Sequence, residues 1–473
     1  MTDSTASQAT DPATGAEVVV HSPVDGTALG SVTEATAADV RRVAERAAAA
    51  AAAFRTQPAH ARAALLREAA AVLDASVGDL VQNLILSLGK PKRFAEVEAK
   101  RGSDMLIRCA NELSSMTGET LPLDAVPGGE GKTGMTWREP LGVVAAITPF
   151  NAPINLTLQK VAPALAMGNA VIVKPSPEAA LIVHQMVDAL NTVFPDGLIS
   201  VLCGGPDVVL ELAGSDLVDA VTLTGGTAAG EAVLARAGVK PVLLELGSNA
   251  ANIVLEDADI ADAARRICAA SFGASGQQCI SAQRILVQDS VFEDFLGEFS
   301  NAAAALIVGD PREATTDLGP MIHQRSRDRV VELIDDAAGR GARVILDGRT
   351  DDLYLRPTIL ADVDAGARLL REEAFGPVVV VQRIADLDAG VSVANSVDFG
   401  LQSACFTRDL DKAFDAARRL ESGSVWINEA TRFRLDTYPF GGVKKSGIGR
   451  EGVRYAMEEL SAVKFVGIRH AGA

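Results

Sequence analysis

From Val143 onward, short apolar runs of strand length alternate with stretches of helical periodicity. GVVAAITPF reads as strand, Leu156 to Met167 as helix and AVIVKP as strand again. Ala179 to Val193 is helix, LISVLCG and VDAVTLTGG are strands, Ala228 to Arg236 is helix, and VLLELG is strand. Such alternation predicts a parallel sheet with helices on both faces. A second series comes after it. Its helices are Ile260 to Phe272, Val291 to Ala305, Arg325 to Gly339 and Leu410 to Leu420, and its strands are RILVQ, ARVILDG, PVVVVQRI and SVWIN. The fold class expected is therefore α/β with two lobes. A cleft between such lobes, beyond the carboxyl ends of the strands, is where a site belongs.

Ahead of this lies helical sequence. Ala38 to Gln57 and Ala59 to Leu84 read as two long alanine-rich helices, and Arg93 to Thr117 as a third, preceded by a loose tail of roughly twenty residues. TLPLDAVPGGEGKTGMTWREP alternates apolar and polar residues around a Gly-rich turn and reads as a hairpin; ELSAVKFVGIRH near the end reads as one more strand.

Composition narrows the function. The 473 residues exceed one small core, so two or three domains are expected. A net charge of −17 would repel nucleic acid and anionic membrane, and neither is expected as a partner. No run of about eighteen apolar residues is present to span a membrane, and the polar start has no signal-peptide pattern. Cys109, Cys203, Cys268, Cys279 and Cys405 are odd in number and widely spaced. That pattern suits a reducing cytoplasm better than a disulfide framework or a zinc site. The scattered histidines give no metal-ligand spacing, so no metal is expected.

Four places carry possible chemistry. In FGASGQQC, Cys279 sits among small residues, which suit either a tight turn or a nucleophile that must be reached. Asn151 comes after the ITPF strand, as a helix N-cap or as an amide donor into the cleft. The glycines of TLTGGTAAG open a helix N-terminus that can hold phosphate, although not in strict GxGxxG spacing; Lys174 stands just past a neighbouring strand. Glu245 ends an apolar strand, where a carboxylate needs a partner or a function, such as that of a general base.

The chain resembles the aldehyde dehydrogenase superfamily over nearly its whole length. The likeness is carried by PLGVVAAITPFNAPINLTLQKVAPALAMGNAVIVKPS, LTGGTAAG, LELGSNAANIV, FGASGQQC, REEAFGPV and PFGGVKKSGIGREG, in order, with 34 residues from Glu245 to Cys279. It implies a Rossmann-like cofactor domain, a catalytic domain and a β-arm for oligomerisation. The cofactor domain would comprise residues 1–122 and 140–246, the arm would begin at 123–139, and the catalytic domain would span 247–430. Residues 431–473 would supply the substrate loop, the return to the cofactor domain and the rest of the arm.

By the same likeness Cys279 would be the nucleophile, Glu245 the base for deacylation and Asn151 the oxyanion donor. Ile147, Thr148, Phe150, Lys174, Ser176, Thr224, Gly225, Gly226, Leu246, Glu373 and Phe375 would hold the cofactor. Two departures bear on that cofactor. Gly226 stands where Ser is common, and Pro177, beside Glu178, stands where NAD-preferring members often carry Glu. NAD is expected, with NADP as the alternative.

The implied activity is oxidation of an aldehyde to its acid through a cysteine thioester, by a homodimer or homotetramer. The alternatives are a coenzyme-A-acylating enzyme, which would generally lack Glu245, and a non-catalytic structural relative. For substrate, Ala152, Asn155 and Gln159 would face the tunnel, with Arg101 and Arg434 at its mouth. Two guanidiniums would suit a short aldehyde bearing an anionic or hydroxyl group, as in the lactaldehyde and phosphonoacetaldehyde dehydrogenase branch. Pairing of Arg434 with Asp436 or with a neighbouring subunit is the other reading.

Overall fold

The structure is a computed structural model that describes residues 13–470. Residues 1–12 of the expected tail lie outside it, and the rest of that stretch already carries the strand Glu17–His21, paired antiparallel with Ala28–Thr33. Thr36 and Asp39 then cap the first helix, Ala37–Phe54, each side chain taking the other's backbone N–H. The expected second helix is two, Ala59–Ala75 and Val77–Leu88, bent by 64° at Ser76. The Ser76 hydroxyl donates back to the Val72 carbonyl at 3.2 Å, a bond that competes with the helical ladder.

One sheet has six strands, ordered Gly447–Ile448, Val242–Glu245, Ala220–Thr224, Val143–Thr148, Ala170–Pro175 and Ile199–Val201. Only its Gly447–Ile448 edge is antiparallel. The five parallel strands, counted along the chain, run 3-2-1-4-5, so the order reverses between Val143–Thr148 and Ala220–Thr224. A cleft opens at such a reversal because the flanking loops leave in opposite directions. Both Val143–Thr148 and Ala170–Pro175 are buried at every residue, as a sheet covered on two faces requires.

A second sheet of seven strands runs from Arg343–Leu346 at one edge to Ser424–Ile427 at the other, parallel except for the pair Arg343–Leu346 and Thr358–Ala361. Three of its strands are not evident from apolar runs: Ala250–Val254, Thr358–Ala361 and Gln402–Phe406. QSACF is fully buried although it begins with two polar residues, because the Gln402 amide donates to the Thr431 carbonyl at 2.6 Å and accepts from the Trp426 indole at 3.0 Å. The hairpin forms from Thr120–Leu121 and Lys132–Pro140, and Ser461–Arg469 joins Lys132–Pro140 antiparallel to make a three-stranded arm. Trp137, Val463, Phe465 and Ile468 are exposed on that arm.

Candidate active site

The carboxyl ends of four parallel strands meet at a cleft of about 520 Å³. Every cofactor-side residue expected from the sequence lines it: Ile147, Thr148 and Phe150; Lys174 and Ser176; Thr224, Gly225 and Gly226; Leu246; Glu373 and Phe375. The hydroxyls of Thr148, Ser176 and Thr224 are buried there without a hydrogen-bond partner, a costly state unless a ligand supplies one. Burial pulls the Lys174 ammonium below its usual range, against the pull of Cys203 and Glu178. Gly226 precedes the helix Thr227–Ala237, whose first turn has no side-chain cap, so its free N–H groups are left to an anion. A Cβ on Gly226 would meet nothing within 4 Å. Orphan hydroxyls, a buried ammonium and an open helix start together fit a dinucleotide. Gly204, Gly205, Pro206, Val209 and Leu210 line the same cleft and were not expected; their signal is a Gly-Gly-Pro turn between a strand and a helix.

Cys279 reaches the cleft wall from the opposite lobe. Its loop is strained, with Ala274 and Ser275 both left-handed at φ 53° and 56°. Side-chain bonds hold it in place. The Ser275 hydroxyl donates to the Gly319 carbonyl at 2.8 Å, the Gln277 amide oxygen accepts from the Ile322 N–H at 3.0 Å, and Asn151 Nδ2 donates to the Gln277 carbonyl at 2.9 Å. The last bond uses one N–H of Asn151 and leaves the other. The backbone of the Asn151 turn is held by Lys90, whose ammonium donates to the Asn151 carbonyl at 2.7 Å. Burial pushes the Cys279 thiol up to about 12, Glu373 and Glu245 add to that, and Arg434 opposes it. The free thiol is therefore protonated at neutral pH and needs a base to become a nucleophile.

Glu245 is buried, with no partner for either carboxylate oxygen. Burial first, and then Glu451, hold it well above the usual carboxylate range; Arg434, Lys160 and Arg450 pull the other way. A buried carboxyl group with a raised pKa that interacts electrostatically with the Cys279 thiol suits a general base. Phe375 is also left-handed at φ 50°, and its ring meets Phe150 edge-on at 5.9 Å.

The expected substrate residues lie together, but their charges are already taken. Gln159 Nε2 donates to Asp436 at 3.0 Å and its oxygen accepts from Arg434 at 2.6 Å. Arg434 also pairs with Glu451 at 2.8 Å, and Lys160 takes the other oxygen of Glu451 at 2.6 Å. Arg101 is bonded through two nitrogens to Asp436. The alternative pairing of Arg434 with Asp436 is not the one formed; the pairs are Arg434–Glu451 and Arg101–Asp436. Both guanidiniums thus carry carboxylate partners, although Arg434 keeps a buried Nε without a partner and the Arg101 side chain is 30% exposed. Asn155 is one turn after Asn151 and keeps an unpartnered amide oxygen; Ala152 begins its helix. Lys160 and Glu451 were not singled out from the sequence, although a lysine inside an otherwise apolar helix implies a buried acid partner.

Comparison with known proteins agrees with this geometry. Residues 10–466 match the aldehyde dehydrogenase family. Aspartate-semialdehyde dehydrogenase 1 of Pseudomonas canavaninivorans is 38% identical over 450 residues, covering 95% of this chain and 96% of the relative. The 3-sulfolactaldehyde dehydrogenase of Priestia aryabhattai is 38% identical over 406 residues, 85% of each chain. The NADP-dependent glyceraldehyde-3-phosphate dehydrogenase of Bacillus halodurans, solved with NADP, superposes with a TM-score of 0.94 at 36% identity, covering 97% of this chain and 96% of that one. The chain belongs to the aldehyde dehydrogenase family and is an oxidoreductase that oxidises aldehydes with NAD or NADP.

Proposed function

We propose that the chain oxidises a short aldehyde with a polar or anionic end to the free acid, with Cys279 as nucleophile, Glu245 as base and Asn151 as oxyanion donor. The observation that carries this reading is the bond from Asn151 to the Gln277 carbonyl, which brings the amide to the loop of the one cysteine lining the cofactor cleft. Cys279 passes its proton to water, and its sulfur bonds to the carbonyl carbon as the carbonyl π bond opens onto oxygen. The remaining Asn151 N–H and the Cys279 backbone N–H receive the oxygen charge. When bound, the nicotinamide supplies the acceptor for the hydride that leaves this carbon. Glu245 then takes a proton from water, the water oxygen bonds to the thioester carbon, and the carbon–sulfur bond breaks to return the thiolate.

Lys174, Ser176 and the start of helix Thr227–Ala237 would hold the ribose and phosphates, and Glu373, which accepts the Ser248 N–H at 3.0 Å, the second ribose. The aldehydes named for three of the relatives carry carboxylate, sulfonate or phosphate groups and lactaldehyde, named for others, a hydroxyl, which supports a substrate with a polar or anionic end. The exposed apolar side chains of the arm support assembly into a dimer or tetramer, since an open apolar strand edge invites pairing. A panel of anionic and neutral short aldehydes, run with NAD and with NADP and without coenzyme A, tests the reading. Acid and reduced cofactor should form in equal amounts. Product that forms only with coenzyme A would contradict it.

A further inference from the structure

One guanidinium near the nucleophile loop has no carboxylate partner. Arg432 donates from Nε to the Gln278 amide oxygen at 2.6 Å, and Gln278 immediately precedes Cys279. Its guanidinium lies over Gly273, 2.8 Å from where a Cβ would stand, and 4.9 Å from the ring centre of Phe94. Burial, with Arg93 nearby, lowers its pKa to about 10. Among the described residues no acid pairs with it. The C-terminal end of helix Ile260–Phe272 supplies only a fractional negative charge there. A half-buried cation without a counter-ion is left available to an anion.

Arg432 faces a second cleft, of about 550 Å³, that shares no lining residue with the cofactor cleft. Arg93 and Arg265 also line it, but Asp317 and Asp262 neutralise them. Phe94 and Phe272 give it apolar wall. The loop Gln277–Gln278–Cys279 lies between the two clefts: the Cys279 side chain opens on one, and the Gln278 side chain reaches Arg432 in the other. A chain of net charge −17 repels an anionic substrate over most of its surface, so a single uncompensated guanidinium in a cleft would focus such a molecule there.

We infer that the second cleft receives the aldehyde, and that Arg432, not Arg434 or Arg101, binds the carboxylate, sulfonate or phosphonate at its far end while the carbonyl reaches Cys279 past Gln278. This rests on the reading of Cys279 as nucleophile. The guanidinium fork can take two oxygens of such a group at once, and its bond to Gln278 ties the anion site to the reacting atom by one residue.

The test is the ratio of kcat/KM for 4-oxobutanoate to that for butanal, aldehydes of equal length with and without a carboxylate. The wild-type ratio should be well above one, and Arg432→Gln should lower it about tenfold to hundredfold. Arg432→Lys, which keeps charge but not the fork, should recover part of it; a role limited to propping Gln278 would move both substrates together and leave the ratio alone. A ratio near one in the wild type overturns the inference. So does a ratio unchanged in Arg432→Gln, or one that falls only in Arg101→Gln. Failure to oxidise either aldehyde would instead overturn the proposed function.

Discussion

The buried ammonium of Lys90 bridges the Glu98 carboxylate and the backbone carbonyl of Asn151, the latter at 2.7 Å. The other oxygen of Glu98 accepts the Ile154 N–H at 3.0 Å, at the uncapped start of helix Pro153–Ala166. The ion pair thus grips the Asn151 turn from both sides. The backbone of the turn that carries the Asn151 amide is held by two charges that do not line the cofactor cleft.

Lys90→Met should therefore act on rate and stability together. It strands Glu98 as an unpaired buried charge, costing about 3–5 kcal/mol in thermal or denaturant unfolding. With Asn151 loosened, kcat should fall about tenfold to hundredfold, while KM for the cofactor changes less than about threefold. Lys90→Arg should recover more stability than rate, because its fork cannot place the same donor. An unaltered kcat in Lys90→Met would show that the pair is only structural.

Alkylation of Cys279 reports on its burial. With the thiol pushed up to about 12, the thiolate fraction in the free enzyme should rise about tenfold per pH unit from pH 7 to 9. The iodoacetamide rate, followed by mass spectrometry at Cys279, should climb with that slope and reach no plateau in this window. A plateau below pH 8 would mean that the free enzyme already stabilises a thiolate.

Arg434 bears on Glu245 rather than on substrate charge. Its positive charge favours the ionised carboxylate, so removing it raises the Glu245 pKa further. In Arg434→Met the rising limb of thioester hydrolysis should move to higher pH. Lys160 keeps Glu451 paired, which limits the stability loss to about 3 kcal/mol. A limb that stays in place or moves to lower pH would contradict the coupling.

Pro177 lines the cofactor cleft next to Ser176, on the same side as Lys174. A carboxylate there would repel a 2′-phosphate and accept from a 2′-hydroxyl. Pro177→Glu should lower kcat/KM for NADP at least about tenfold and leave that for NAD equal or higher. Equal losses with both cofactors would place the ribose elsewhere.

The strands of the six-stranded sheet were largely legible as apolar runs between helices, whereas Ala250–Val254, Thr358–Ala361 and Gln402–Phe406 were not. The small residues around Cys279 left a tight turn and a reachable thiol both open. The kink at Ser76 was not legible, since apolar residues keep a helical spacing on both sides of it. Nor were Arg434–Glu451 and Arg101–Asp436. In one dimension Arg434 stands two residues from Asp436, and only folding brings Glu451 and Lys160 closer. Arg432 was overlooked for the complementary reason, because nothing in TRFRLD distinguishes an arginine with a buried acid from one without.

The acyl-enzyme is the intermediate on which the proposed chemistry depends. In Glu245→Gln, thioester formation should proceed while hydrolysis stalls, so mixing with aldehyde and NAD or NADP should give a burst of about one reduced cofactor per subunit. Intact-mass and peptide analysis should find the acyl group on Cys279. A variant that releases free acid at the wild-type rate, or a burst with no adduct on Cys279, would contradict that chemistry.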